Sequence, residues 1–160
     1  MKLYTYNPKI LQNKDDVSYY ILGAFITDGC IVINNKTKNK NSGQCNITSA
    51  DSDWLEPIKQ LLCPGKPIYK SKNDNCYTLI LNNSEIFNFF IENECLPHKS
   101  LTVKMPKIPE EYFADFLRGC WDGDGCICIS KTHIFCELAS GSKEFIESIF
   151  NKLKQFNPKL

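Results

Sequence analysis

Two aspartates lie at matching positions of an internal repeat, where their carboxylates could bind a metal ion. Asp28 and Asp124 each stand directly before a glycine, at the end of a segment with helical character. A negative side chain at an exposed helix C-terminus destabilises the helix by roughly 0.3–1 kcal/mol. Because the same unfavourable placement occurs twice, it favours a specific role for the two aspartates. Packed side by side, two such helices would bring both carboxylates to one place, where they could bind hard divalent cations. The alternative is that an aspartate simply precedes a glycine turn in each copy.

The repeat extends well beyond the aspartates. Residues 28–33, DGCIVI, recur as residues 124–129, DGCICI, at an offset of 96, and Gly23 and Gly119 match at the same offset. Residues 45–49 then align with residues 136–140 at an offset of 91. The five-residue difference indicates a longer loop in the first copy. A duplication of this kind predicts two similar supersecondary units that pack against each other.

The first copy predicts the order helix, strand, strand, helix, strand, strand, helix. The expected segments are a helix at 17–28 ended by Gly29 in the left-handed conformation, strands at 30–34 and 45–49, a helix at 53–62 capped by Asp51 or Ser52, strands at 67–72 and 76–81, and a helix at 84–93 capped by Ser84.

The second copy predicts a shorter unit. Its helix is expected from the sequence Pro109-Glu110-Glu111 to Asp124, followed by strands at 126–130 and 134–139 and a helix at 142–156. By comparison with the first copy, a second hairpin and a closing helix, on the order of 30 residues, are missing at the C-terminus. We therefore expect a first repeat at 1–100 and an incomplete second repeat at 101–160.

Incompleteness should leave apolar surface without a cover. We expect an exposed sheet edge in the second repeat and an uncovered apolar face on its last helix. That face would comprise Phe145, Ile146, Ile149, Phe150 and Leu153. The sequence thus predicts self-association, poor solubility or a missing C-terminal segment that completes the second repeat.

Composition places the chain among globular proteins. It has 160 residues, a formal net charge of +1, 42% hydrophobic residues and 23% charged residues, which excludes a disordered chain. Because the net charge is near zero, any nucleic-acid surface must come from local clusters of basic residues. No apolar run approaches the ~18 residues of a membrane span and no signal-peptide core follows Met1, so we expect a soluble intracellular protein.

The nine cysteines do not form the pattern of a disulfide scaffold or of a zinc site, because their number is odd and no Cys-x-x-Cys pair occurs. The sequence predicts reduced thiols that pack as small apolar residues. Cys126 and Cys128 fall on one face of a predicted strand, and Val32 takes the place of Cys128 in the first copy.

Both copies of the repeated helix resemble a known motif. Residues 21–29, ILGAFITDG, and residues 117–125, LRGCWDGDG, look like the two LAGLIDADG motifs of homing endonucleases, especially the dodecapeptide type associated with inteins and introns. The resemblance covers residue 17 to the end of the chain. It implies an α+β fold of tandem αββαββα repeats with saddle-shaped antiparallel sheets, whose two motif helices pack against each other. The repeated glycines, Gly23 and Gly119, would lie at that helix interface.

The resemblance also implies an activity, the site-specific cleavage of double-stranded DNA. Asp28 and Asp124 would be the catalytic carboxylates that bind Mg²⁺ or Mn²⁺, and Lys99 would be an active-site lysine. The alternative for Lys99 is an ordinary surface lysine. Asp122 is expected to lie next to the metal ligands without binding the metal itself. In the first motif, Ile26 and Thr27 stand in the region where the family pattern has its first aspartate. His98 and His133 are expected to be surface or packing residues.

Basic and polar residues of the first copy are candidates for DNA contact. Lysines could bind backbone phosphates, whereas strand residues could reach base edges. The candidates are Lys36, Lys38, Lys40, Asn46, Thr48, Lys66, Tyr69, Lys70, Lys72, Tyr77 and Thr78. Plain solvation is the alternative for the lysine-rich loop.

Other functions remain open at the level of sequence. The same fold could serve as an RNA maturase, as a DNA-binding regulator that does not cut, or as an inactive remnant of a mobile element. Retention of both motif aspartates favours the enzyme, since a pure binding protein gains nothing from two carboxylates beside phosphate.

Overall fold

The computed structural model describes residues 3–33 and 43–159. It has a mixed α+β architecture with antiparallel sheets, as the sequence predicts. The first half contains α1 (Lys9–Gln12), α2 (Asp16–Asp28), β1 (Gly29–Ile33), β2 (Gly43–Ser49), α3 (Ser52–Leu62), β3 (Ile68–Lys70), β4 (Tyr77–Leu81) and α4 (Ser84–Glu92). The second half contains α5 (Phe113–Asp124), β5 (Gly125–Ile129), β6 (Ile134–Leu138) and α6 (Lys143–Phe156).

The first half forms a four-stranded sheet in the order β1-β2-β4-β3, with every neighbouring pair antiparallel. From α2 to α4 the elements follow the predicted αββαββα order. One face of the sheet is buried in the core, where Ile31, Cys45, Ile47 and Leu79 lie. Because side chains alternate across a strand, the intervening residues form the opposite face, here called the outer face.

Two predictions about helix ends are wrong. Gly29 is not left-handed, since its φ of −86° and ψ of 149° are extended and carry the chain directly from α2 into β1. The glycine instead makes room, because a Cβ at this position would clash with the Phe25 ring. The cap of α4 is Asn83, whose side chain accepts a hydrogen bond from the Ile86 backbone N–H, and not Ser84. The cap of α3 is Asp51, one of the two residues expected.

The segment between the halves contains two short 3-10 helices, Lys99–Leu101 and Glu110–Tyr112. The second of these precedes α5, so the α-helix itself begins at Phe113 rather than at Pro109.

The apolar face of α6 is largely covered, contrary to expectation. Phe145 and Ile149 are buried, and the Phe145 ring packs edge to face on Phe116 of α5 at a centroid distance of 6.4 Å. The N-cap residue Ser142 is buried and donates a hydrogen bond to the Val103 carbonyl oxygen at 2.7 Å. Helix α5 therefore supplies a cover that the repeat comparison did not anticipate. Of the five residues expected to be uncovered, Phe150 is exposed, while Ile146 and Leu153 are half-buried.

The β5–β6 hairpin is the open part of the second half. Its strands pair only with each other within the described residues. Ile127, Ile129 and Ile134 are exposed on the face that corresponds to the buried face of the first sheet. Among residues 3–33 and 43–159, no helix has the length and apolar character needed to cross a membrane.

Candidate metal centre between the motif helices

The two motif helices, α2 and α5, pack through their repeated glycines. A Cβ on Gly23 would clash with the carbonyl oxygen of Phe116, and a Cβ on Gly119 would clash with the carbonyl oxygen of Tyr20. Each glycine thus lies against the backbone of the other helix, and the two contacts are reciprocal. Close backbone approach requires residues without a side chain, so the repeated glycine sets the distance between the helices.

A chain of hydrogen bonds flanks this interface. The Tyr20 hydroxyl donates to Asp122 Oδ2 at 2.8 Å, and Trp54 Nε1 donates to the Tyr20 hydroxyl oxygen at 3.0 Å. Asp122 therefore bonds across the helix pair, as a structural contact between α5 and α2. Tyr20 and Trp54 could not be identified from the sequence, because their roles depend on contacts between residues more than 30 positions apart.

Asp28 and Asp124 are the last residues of α2 and α5. The Asp28 carboxylate lies against α5, since a Cβ on Gly123 would be 3.3 Å from Asp28 Oδ2. Gly123 directly precedes Asp124, so the helix packing brings the ends of both motifs together. Sequence analysis did not single out Gly123, although its position within the second motif was a signal that could have found it.

The electrostatics of the two carboxylates reflect this proximity. Burial and, to a smaller extent, the charge of Asp124 together raise the pKa of Asp28 to about 6, against the opposing effect of the nearby Lys99 ammonium. Burial also raises the pKa of Asp124, again opposed by Lys99. Each carboxylate thus loses part of its hydration without gaining a full counter-charge, which favours binding of a proton or a cation.

Lys99 is a buried residue, only 6% exposed, rather than an ordinary surface lysine. Its Nζ donates a hydrogen bond to the Gly29 carbonyl oxygen at 2.5 Å, at the C-terminal end of α2. Burial lowers the Lys99 pKa, and nearby thiols and both aspartates raise it. With Asp124, Lys99 also lines a cavity of about 80 Å³. The structure therefore brings the three predicted catalytic residues to one region.

The donor set of this region suits a hard divalent cation. Carboxylate oxygens are the protein ligands that Mg²⁺ and Mn²⁺ prefer. Both carboxylates have raised pKa values that a bound cation would lower, and Lys99 supplies only part of the compensating charge. Asp28 and Asp124 therefore fit the metal that the resemblance implies.

Four of the predicted DNA-contact residues share the outer face of the first sheet. Thr48 and Thr78 are paired across β2 and β4 with their hydroxyl oxygens 3.0 Å apart, and Tyr69 is paired with Thr78. Asn46 lies on the same face, where its Oδ1 atom is buried and has no hydrogen-bond partner among the described residues. This face thus presents hydroxyl and amide groups, the donors and acceptors that read base edges.

Other predicted contact residues lie elsewhere. Lys66 is buried and its Nζ is 4.5 Å from the centre of the Tyr4 ring, so it does not belong to the outer face. Lys70 and Tyr77 are paired on the opposite side of the sheet, and the Lys70 Nζ lies 5.5 Å from the Tyr77 ring centre. Lys72 is exposed at the turn between β3 and β4. Lys36, Lys38 and Lys40 lie outside the described residues.

The second half of the chain matches a known family. Residues 111–159 match the family described as LAGLIDADG-like domain, and this segment contains the second motif, β5, β6 and α6. The first half repeats the motif and packs its helix on the second.

Curated relatives are much longer proteins. The chain is 27% identical over 162 residues to the probable translation initiation factor IF-2 of Methanocaldococcus jannaschii, covering 93% of this chain. It is 24% identical over 146 residues to the probable translation initiation factor IF-2 of Thermococcus kodakarensis, covering 86% of this chain. In both cases the match spans 12% of the relative's length.

Solved structures with a similar arrangement include two homing endonucleases. The I-LtrWI LAGLIDADG homing endonuclease bound to target DNA matches with 18% identity and a TM-score of 0.45, over 82% of this chain and 66% of that one. The meganuclease I-SmaMI bound to uncleaveable DNA matches with 15% identity and a TM-score of 0.47, over 86% of this chain and 71% of that one.

Proposed function

We propose that this chain is a homing endonuclease that hydrolyses phosphodiester bonds of double-stranded DNA at a specific site. The observation that carries the proposal is the packing of α2 on α5, which places Asp28 beside the end of the second motif and couples its charge to that of Asp124. Two neighbouring carboxylates with raised pKa values, one half-buried and one exposed, are an unfavourable arrangement unless they bind something positive. A functional metal centre accounts for them.

Asp28 and Asp124 would hold Mg²⁺ or Mn²⁺. A divalent ion bound there supplies charge neutralisation at the scissile phosphate and activation of a water molecule. The two motif helices position the carboxylates, because their glycine contact packs the two helix backbones directly against each other. Lys99 is positioned by its hydrogen bond to the Gly29 carbonyl oxygen, and its ammonium adds positive charge beside the two acids.

The outer face of the first sheet would contact the DNA. Asn46, Thr48, Tyr69 and Thr78 offer polar groups to base edges, and the exposed Lys72 offers a phosphate contact. Lys36, Lys38 and Lys40 would add further phosphate contacts. Double-stranded DNA as the partner is supported by the names of the two similar endonucleases, both described as bound to DNA.

An intein-associated origin is part of the proposal. The curated relatives are translation factors in which the matching segment is 12% of the whole, as expected for an inserted element. The dodecapeptide character of the second motif supports the same origin.

Nicking of supercoiled plasmid DNA tests the activity. We expect cleavage with Mg²⁺ or Mn²⁺ and none with EDTA, and we expect Asp28→Asn and Asp124→Asn to abolish it while leaving DNA binding nearly unchanged. Asp122→Asn is the matched control, because Asp122 lies on the same helix as Asp124 but accepts a hydrogen bond from Tyr20. Equal cleavage by the parent and both test variants would refute the assignment.

A second candidate function is DNA binding without cleavage. The open β5–β6 hairpin favours it, since a second sheet with two strands offers less surface to DNA than the first. DNA binding by the parent with no metal-dependent nicking at any site would select this function.

A further inference from the structure

A second cluster of metal-binding side chains lies on the β5–β6 hairpin. Cys126 and Cys128 project from the same face of β5, with their sulfur atoms 3.5 Å apart. Glu137 is the cross-strand partner of Cys126 on β6, and its Oε2 atom is 3.9 Å from the Cys126 sulfur. The three ligand atoms all lie within 4.8 Å of one another. Strand spacing and cross-strand pairing thus assemble two sulfur ligands and one oxygen ligand at one point.

These distances suit tetrahedral coordination. Two thiolates that each bind zinc at ~2.3 Å with a tetrahedral angle are about 3.8 Å apart, close to the separation of the two sulfur atoms here. A carboxylate oxygen is an accepted third zinc ligand, and solvent can occupy the fourth position. We propose that Cys126, Cys128 and Glu137 bind one thiophilic divalent cation of the zinc type.

The first repeat provides an internal comparison. The positions equivalent to Cys126, Cys128 and Glu137 hold Cys30, Val32 and Asn46, which offer a single thiol. The remaining strand pairing is the same in the two repeats, so the second copy differs by the addition of two ligands. The sequence did not indicate this site, because its cysteines are two apart and its carboxylate comes from the neighbouring strand.

The cation would stabilise the least supported element of the fold. It links β5 to β6 where neither strand pairs with another neighbour among the described residues and where three isoleucines are exposed. The site differs chemically from the one at Asp28 and Asp124, since thiolates prefer zinc and carboxylates prefer Mg²⁺. The two sites can therefore be examined separately.

Cobalt substitution and zinc titration test this site. The protein is reduced, freed of metal and titrated with Co²⁺, whose thiolate charge-transfer absorption reports sulfur ligation, and then with Zn²⁺ by calorimetry in excess Mg²⁺. We expect one ion per chain with a thiolate band. The double variant Cys126→Ser/Cys128→Ser should lose the band, and Glu137→Gln should weaken zinc binding by about tenfold or more.

Two variants serve as controls. Cys30→Ser removes the equivalent exposed thiol of the first repeat, and Cys136→Ser removes an exposed thiol from the other face of the hairpin. Both should retain the band and the parental affinity. The proposal is overturned if the reduced parent shows no thiolate band, if the double variant keeps it, or if the controls lose it as well.

Discussion

Equivalent positions of the two repeats are buried in one and exposed in the other. Ile31 is 4% exposed, whereas its counterpart Ile127 is 65% exposed. Cys45 is fully buried, whereas its counterpart Cys136 is exposed. The local sequence is nearly the same in these strands, so the difference comes from what packs on them. In the first repeat the sheet continues through β4 and β3 and is covered by α3 and α4.

The motif helices show the opposite behaviour. Gly23 and Gly119 make reciprocal contacts, and Asp28 and Asp124 end their helices in the same way. The repeat is therefore symmetric at the helix interface and asymmetric in its sheets. One complete repeat, together with α5 and α6, is therefore enough to form the candidate centre, and the first repeat supplies most of the buried core.

Matched truncations should separate the repeats most strongly. Ile31→Ala should lower the free energy of unfolding by about 2–4 kcal/mol, because it removes buried methylenes and leaves a cavity. Ile127→Ala should change it by less than about 0.5 kcal/mol, since that side chain already contacts solvent. Urea denaturation of the two variants measures both values. Equal losses would mean that the second sheet has a cover of its own.

The glycine contact should be the next most sensitive point. Gly23→Ala or Gly119→Ala should destabilise the protein by about 1–3 kcal/mol, because the added Cβ meets backbone atoms that cannot move aside. Gly65→Ala is the control, since a Cβ there has only one neighbouring atom, Tyr4 Cδ1, at 3.8 Å. The melting temperatures of the three variants measure this difference. If all three variants melted at the same temperature, the result would contradict the helix packing.

A smaller effect is expected from the charge of Asp28. Its pKa of about 6 lies above the ordinary value of 3.8, so the folded protein keeps a proton that the unfolded chain releases between about pH 4 and pH 6. Stability should fall as the pH rises through this window and stay lower above it. Without metal at pH 7, Asp28→Asn should therefore be more stable than the parent by about 1 kcal/mol, allowing for partial exposure.

The pH comparison has two controls. At a pH well below 3.8 the advantage of Asp28→Asn should disappear, because Asp28 is then protonated in both states. Asp122→Asn should show no stabilisation at pH 7, because Asp122 accepts a hydrogen bond from Tyr20. Stabilisation of Asp28→Asn at every pH would point to a cause other than its charge.

The exposed hairpin should affect association more than folding. Ile127, Ile129 and Ile134 form an apolar surface beside strand edges that pair with no further strand among residues 3–33 and 43–159. Such a surface favours pairing with a second copy of the chain. Replacing all three with threonine should reduce association measured by sedimentation velocity and leave the melting temperature nearly unchanged. A parent that sediments as a monomer at high concentration would contradict this expectation.

Internal repetition made much of the fold predictable. The order of elements and the reciprocal role of Gly23 and Gly119 follow from residues compared at a fixed offset. What the sequence could not provide were contacts between distant residues. The cover of α6 by Phe116 depends on the angle at which two helices meet, and burial of Lys66 depends on a Tyr4 ring from the far end of the first repeat.

The candidate site was predictable to a similar extent. Both aspartates and Lys99 were identified from the motif and its neighbourhood, and the structure places them in one region. The motif marks the position of Gly123, but its close approach to Thr27 and Asp28 depends on how α2 packs on α5. The proposed zinc ligands Cys126, Cys128 and Glu137 could be recognised only from the register of β5 and β6, which a single sequence does not specify.

Binding of Mn²⁺ in the presence of duplex DNA shows whether Asp28 and Asp124 share a metal ion, and the electron paramagnetic resonance signal of the free ion measures that binding. If Asp28 and Asp124 together hold the metal, Asp28→Asn and Asp124→Asn should each weaken binding by about tenfold or more, and Asp122→Asn should bind as the parent does. Parental Mn²⁺ affinity in either of the first two variants would show that the motif helices do not build a shared metal centre.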